Sequence, residues 1–268
     1  MVRARLGLAG VALCLSAPAA WGEPLPPALT GGEPAMVREV VDGDTLSLTD
    51  GRKLRLASVL APRTAPPRSG QPTRRDPELE RLAAASRQEL AFLIGNQPVT
   101  VHIIGATTDR HGQWVAQLAR PTGEWVQAAL VSRGLARVQP AADSGVGVEI
   151  LLRLETAARD SRTGLWRHEA FRVRAPHEAG RWIETFQLVE GTAVSFEGRP
   201  AGRIALESQE PRLVLNLSAR TRSELRAAGL NASTLAGLPL RVRGWLRWQN
   251  GPLIDVTHAA QIEILVAR

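Results

Sequence analysis

From Met36 the chain alternates apolar and polar positions: Val37, Val40 and Val41 lead into an Asp-Gly-Asp-Thr turn, and Leu46 and Leu48 then alternate with polar neighbours. Asp50-Gly51 is a tight hairpin signal, after which Leu54 and Leu56 resume the alternation. This pattern predicts an antiparallel β-meander. A basic, proline-rich stretch over 61–75 interrupts it. Asp76-Pro77 then supplies an N-cap and a first-turn proline; Leu79, Leu82, Ala83, Leu90, Leu93 and Ile94 keep the helical period, and Gly95 ends the helix. Strands over 99–104 and 114–118 follow, then helices over 123–133 and 149–159, the latter with Ile150, Leu151, Leu154 and Ala158 on one stripe.

Residues 167–181 are charged and hold no sustained period, so a boundary falls there. A second β-rich unit starts at Trp182, with strands over 185–196, 203–206, 212–217, 240–245 and 253–257, a helical turn over 223–228, and Asn250-Gly251 as a hairpin. The expected fold is mainly β with α: two five-stranded barrels of the oligonucleotide/oligosaccharide-binding (OB) type, the first carrying three helices. Residues 35–166 and 182–268 would be the two domains, with 167–181 a linker and the proline- and glycine-rich 23–34 another.

Residues 1–22 break the pattern. Arg3 and Arg5 precede an apolar run from Leu6 to Leu15, followed by small residues up to Gly22, which is the order of a secretory signal peptide. The run is shorter than the roughly 20 residues needed to cross a bilayer, and no other long apolar run follows. The expectation is therefore an exported protein, periplasmic or secreted, with no transmembrane segment in the mature chain. Cleavage would remove Cys14, the only cysteine, leaving neither a disulfide nor a thiolate metal site. With 268 residues and 44% hydrophobic content the chain fits one large or two ordinary globular domains, and neither a collagenous nor a disordered class. The formal charge is +7, almost all of it arginine, Lys53 being the one lysine. Such a surface attracts polyanions such as nucleic acid or anionic lipid.

Four stretches carry a resemblance: VVDGDTLSLTDGRKLRLASVLAP, TDRHGQWVAQL, GEWVQAALVSRGLARV and ARDSRTGLW. In that order and spacing they resemble the staphylococcal nuclease (thermonuclease) family over about half the chain, Met36 to Trp166. The part ending in VRGWLRWQNGPLIDVTHAAQIEIL is similar to the extra OB-like domain of some bacterial members. The resemblance implies phosphodiester hydrolysis by in-line attack of water. Two Asp carboxylates would hold Ca²⁺, a Glu would activate the water, and two Arg would stabilise charge on the phosphate.

Carried onto this chain, Asp44 stands at the first metal-ligand position, with Asp42 beside it in the outer shell, and Arg55 at the first phosphate-binding arginine. The second metal carboxylate has become Leu60, the catalytic Glu has become Arg63, and the second arginine falls on Gln113. Leucine offers no side-chain oxygen, Arg63 brings positive charge to a cation site, and Gln113 can donate to a phosphate but cannot neutralise it. Arg68, Arg74 and Arg75 form, with Arg63, a basic loop suited to a phosphate backbone. Beside these readings stand plainer ones: Asp42 and Asp44 shaping a turn, Arg55 on a solvated face, the arginine loop as solvated charge. Trp245 and Trp248 could stack on bases or simply pack. His111, His168, His177 and His258 lack metal-ligand spacing.

Three functions fit. The first is an exported thermonuclease-like protein with a degenerate nuclease site that binds nucleic acid or another polyanion. The second is an altered metal-dependent phosphodiesterase, an enzyme in which Asp44, Arg55 and Arg63 handle phosphate. The third is a protein-binding module without nucleic acid.

Overall fold

The computed structural model describes residues 22–63, 76–105, 108–141, 145–194, 202–208 and 212–265. The expected signal peptide, apart from Gly22, and the arginines Arg68, Arg74 and Arg75 lie outside them.

The alternating leucines produce the expected meander. Strands β1 (Glu33–Ala35), β2 (Val37–Val40), β3 (Thr45–Leu48), β4 (Lys53–Leu56), β6 (Val99–Ile103) and β7 (Trp114–Ala119) form one curled sheet in the order β1-β6-β7-β4-β3-β2. Its two end strands are separated by Met36 alone, so a single stretch of chain serves both edges. All pairs are antiparallel except β4–β7. The sheet thus has six strands where five were expected, because the first OB strand breaks at Met36. A short pair, β5 (Val59–Leu60) with β8 (Arg137–Val138), lies beside it.

Helix α1 (Pro77–Ile94) begins where the sequence places it: the Asp76 carboxylate accepts from the amides of Glu78 and Leu79, and Gly95 ends it at φ 57°. Its buried Leu90, Leu93 and Ile94, with α2 (Val126–Ser132) and α3 (Val148–Asp160), close one core around Leu46, Leu48, Leu54, Leu56 and Trp125. The segment 23–34, expected as a linker, is tied down. Leu25 donates to Gly123 O at 3.2 Å, Trp125 donates to Glu23 O at 2.9 Å, and Glu33–Ala35 is a strand. Its apolar Leu25 reaches the core, a contact that no local periodicity announces.

The second sheet contains β9 (Phe186–Val194), β10 (Arg203–Leu206), β11 (Val214–Leu217), β12 (Pro239–Trp248) and β13 (Pro252–Val256), with β14 (Ile262–Ile264) added on β12. Here the ring closes: β9 pairs with β10 and β12, β10 with β11, β11 in parallel with β13, and β13 with β12. Helices α4 (Ala219–Ala227) and α5 (Ala232–Leu235) sit between its third and fourth strands, as an OB barrel requires. Asn250 and Gly251, both at positive φ, make the β12–β13 turn.

The expected linker 167–181 is likewise packed structure. It contains 3₁₀ turns at Glu169–Phe171 and Pro176–Trp182 and buries Phe171, Arg174 and Ala179. Phe171 joins Leu165, Trp166, Phe186 and Leu188 in a third core, against which Leu60, Leu79 and Leu82 pack. Phe186 and Leu188 belong to the second barrel, the leucines to the first, so this cluster fastens one to the other. Charge crosses the same seam. Arg243 of β12, fully buried, donates to the fully buried Glu155 of α3 at 2.6 Å and to Val138 O at 3.2 Å. Arg137 donates to Phe186 O at 2.6 Å with its guanidinium 4.8 Å over the Phe171 ring and 5.0 Å over that of Phe186.

Candidate functional site

The turn between β2 and β3 is shaped by its own side chain: Asp42 Oδ1 accepts from Asp44 N at 3.0 Å. Gly43 presses against α1 and against Ala61, just past β5. A Cβ there would stand 2.1 Å from Ser86 Oγ and 2.7 Å from Ala61 Cβ. This close approach draws Asp44 inward until only 1% of it is exposed. Its Oδ2 accepts from Ala61 N at 2.7 Å, and its Oδ1 accepts from Thr45 Oγ1 at 3.1 Å and from Arg63. The same Arg63 Nη2 lies 3.5 Å from Asp42 Oδ2 and 3.4 Å from Thr45 Oγ1.

Arg63 is thus a cation lodged between two carboxylates. Burial pushes the Asp44 carboxyl upward, against the pull of Arg63 and of the Ala61 amide. Burial also works against Arg63, but the charges of Asp44 and Asp42 outweigh it and hold the guanidinium above its ordinary value.

Arg55 and Gln113 meet on a second carboxylate. Arg55 Nε donates to Asp109 Oδ2 at 3.0 Å, while Asp109 Oδ1 accepts from the amides of His111 at 2.9 Å and Gln113 at 3.1 Å. Burial raises the Asp109 carboxyl, but the Gln113 and His111 amides and then Arg55 overcome it, so the net direction is down. Thr45 pairs with Arg55 across β3–β4, which puts the two clusters on neighbouring strands. Leu60 takes no part in either; it pairs with Arg137 and packs into the core shared by the two barrels.

A cleft of about 370 Å³ opens beside Arg63, lined by Val41, Asp42, Pro62, Ala83, Ala84 and Arg87. Ala83 and Arg87 are one helical turn apart, so the small residue leaves floor space and the long one supplies a cation at its edge. Sequence reasoning missed Arg87, which reads as an ordinary exposed helix residue, and also missed Asp109. The only signal for Asp109 was its place in the TDRHGQW stretch.

The fold is that of an OB barrel in which an acidic turn, a strand arginine and the loop before β7 share one face, a place where such barrels bind nucleic acid. The comparison with known families agrees: the model described as staphylococcal nuclease homologue matches residues 53–168. The first barrel therefore belongs to the staphylococcal nuclease-like family, which is nuclease-like and nucleic-acid-binding and in general depends on Ca²⁺. No curated protein matches the chain.

The residues present do not fit that ion. Ca²⁺ takes six to eight oxygens at about 2.3–2.6 Å, several of them anionic. Both oxygens of Asp44 already accept from donors, Leu60 brings none, and Arg63 fills the space between the acids. No group of three or more His, Cys, Asp or Glu poised for a metal occurs among the described residues.

Proposed function

We propose that this protein is an exported thermonuclease-like protein whose nuclease centre has become a metal-independent grip for nucleic acid. The observation that carries the reading is the ion pair of Arg63 with Asp44 and Asp42. The two acids hold a protein cation where the family places a metal, and Arg63 stands where the family has its base. A lost general base costs about two to four orders of magnitude in rate and a lost charge-stabilising donor about two to three. With half of its side chain still exposed, Arg63 faces the cleft together with Arg87, and a phosphate entering there meets two guanidiniums. Export rests on Arg3, Arg5 and the apolar run Leu6 to Leu15.

The test is to incubate the full mature protein with single-stranded DNA in Ca²⁺ or in chelator, following both cleavage and binding. The expected result is no cutting in either condition and equal binding in both. The slope of log K against log salt should fall in magnitude by about 0.7 in Arg87→Gln, one phosphate contact fewer. Ca²⁺-dependent cutting that disappears in Asp44→Ala would establish the altered phosphodiesterase instead. Absence of both cutting and binding would leave the protein-binding reading.

A further inference from the structure

Two arms of the Arg63 site back onto one short segment, 135–139. Leu60, three residues before Arg63, pairs with Arg137 in the two-residue ladder of β5 with β8, and Gln139 N donates to Ser58 O at 2.8 Å. Ala61, next in the chain, gives its amide to Asp44. Pro62 follows, and the restricted backbones of a proline and of the residue before it carry the position of β5 on to Arg63. Helix α1 meets the same segment: Ser86 Oγ, against which Gly43 rests, donates to Leu135 O at 2.8 Å. The arm that bears Arg63 and the turn that bears Asp44 therefore share a backing.

A ladder of two residues does not hold itself. The free side of β8 is completed by the seam with the second barrel. Val138 turns both its backbone groups that way: its amide donates to Glu155 Oε1 at 2.7 Å, and its carbonyl accepts from Arg243 Nη1 at 3.2 Å. Glu155 and Arg243 are themselves 2.6 Å apart, so an ion pair shared by the two barrels stands where a neighbouring strand would.

Arg137 adds a second tie, donating to Phe186 O on β9 at 2.6 Å. Its Nε is buried without a partner, and no carboxylate lies within ion-pair distance of it among the described residues. Burial pulls the guanidinium down to about 10, ahead of the opposing charge of Glu155. What this costly cation visibly does is fasten β8 to the second barrel.

We propose, on the nucleic-acid reading of the first-barrel site, that the second barrel sets that site's grip: Arg137 and Arg243 are positioning residues that hold β8 and, through β5, keep Arg63 against Asp44 and Asp42. Neither lines the cleft. The Ala61 amide stands 2.7 Å from Asp44, and a shift of β5 by about 1 Å would end that hydrogen bond and carry Arg63 out of place.

The experiment starts from Arg137→Met, which keeps most of the volume and leaves Glu155 paired with Arg243. Phe186→Leu loosens the same tie from the other barrel, by removing a ring against which the guanidinium lies. Anisotropy of a labelled single-stranded oligonucleotide is followed over a salt series with the full mature protein and with each variant, alone and combined with Arg63→Gln or Arg87→Gln. Urea curves give the folded fraction of each. Arg137→Met should weaken binding by the folded protein about 10-fold or more and lower the magnitude of the slope of log K against log salt by about 0.7, one phosphate contact fewer. The same loss should appear on top of Arg87→Gln and no further loss on top of Arg63→Gln, because the effect passes through Arg63. Phe186→Leu should follow the same pattern, and Arg137→Lys, which keeps a donor for Phe186 O, should restore part of the binding. A lower urea midpoint with unchanged affinity and slope would reduce Arg137 to a structural role and overturn the proposal, as would an equal loss in the Arg63→Gln background. If the wild type binds no oligonucleotide, the nucleic-acid reading fails, and hydrogen exchange decides the coupling on its own. Exchange at the Ala61 amide that quickens in Arg137→Met relative to the amides of β3 and β4 supports it, and an unchanged ratio overturns it.

Discussion

Replacing Arg243 by Met tests how the two barrels are joined. Arg243 and Glu155 are both fully buried, 2.6 Å apart, one on β12 and the other on α3. The methionine fills most of the arginine's volume but leaves Glu155 charged in a dry seam, where removing one partner of a buried pair costs about 3–5 kcal/mol. Glu155 cannot turn away cheaply, since its Oε1 accepts from Val138 N at 2.7 Å. Glu263, the other partner of Arg243, loses less because it is partly exposed and keeps Arg241 at 3.3 Å. Adding Glu155→Gln removes the unpaired carboxylate while retaining an acceptor for Val138, so the double variant should regain part of the loss, the rest being held back because buried Arg137 then loses the charge of Glu155. Urea unfolding followed by both tryptophan fluorescence and far-ultraviolet circular dichroism gives the numbers. Wild type should unfold in one coincident transition, because a shared apolar core and a buried ion pair make each barrel lean on the other. Against the usual stability of about 5–15 kcal/mol, the single variant should lose about a fifth or more. A cost below about 1 kcal/mol, or a double variant no better than Arg243→Met alone, would refute the argument.

Two further outcomes follow from close contacts. Gly43→Ala should cost about 1–3 kcal/mol by pushing the Asp-Gly-Asp turn off Ser86 and Ala61, and should weaken oligonucleotide binding at the Arg63 cleft; an unchanged urea midpoint would show that the turn has room to spare. Glu178, hydrogen-bonded by Arg172 and by the Ala175 amide, has its carboxyl lowered to about 2. A depressed folded-state value contributes stability that is complete above the ordinary carboxylate range and is lost as pH falls from there through about 2. Glu178→Gln should therefore flatten the dependence of the urea midpoint on pH between roughly 4.5 and 2, and an identical pH profile would contradict the pairing.

Local chemistry was readable where the decisive partners are close in the chain. Asp76-Pro77 and Gly95 bracket α1 because capping is settled within one helical turn, and the leucine alternation from Leu46 to Leu56 gives the strands because the pleat has a period of two. The OB class and the family followed from such elements together with the order of four motifs. The sequence also marked Leu60, Arg63 and Gln113 as departures from the family's pattern, since identity at a position needs no coordinates.

What those residues do instead was decided in three dimensions. That Arg63 closes on Asp44 and Asp42 depends on β5 lying against the β2–β3 turn, and that Arg55 answers to Asp109 depends on a loop 54 residues further along. Leu25, Phe171 and Arg174 sit in stretches with no period at all, so only tertiary packing reveals that the two expected linkers are structure. Above all, nothing in the strand pattern of β12 marks Arg243 as buried rather than solvated. An alternating strand gives arginine an outward position, and it is the docking of α3, with Glu155 aimed at it, that turns outward into inside.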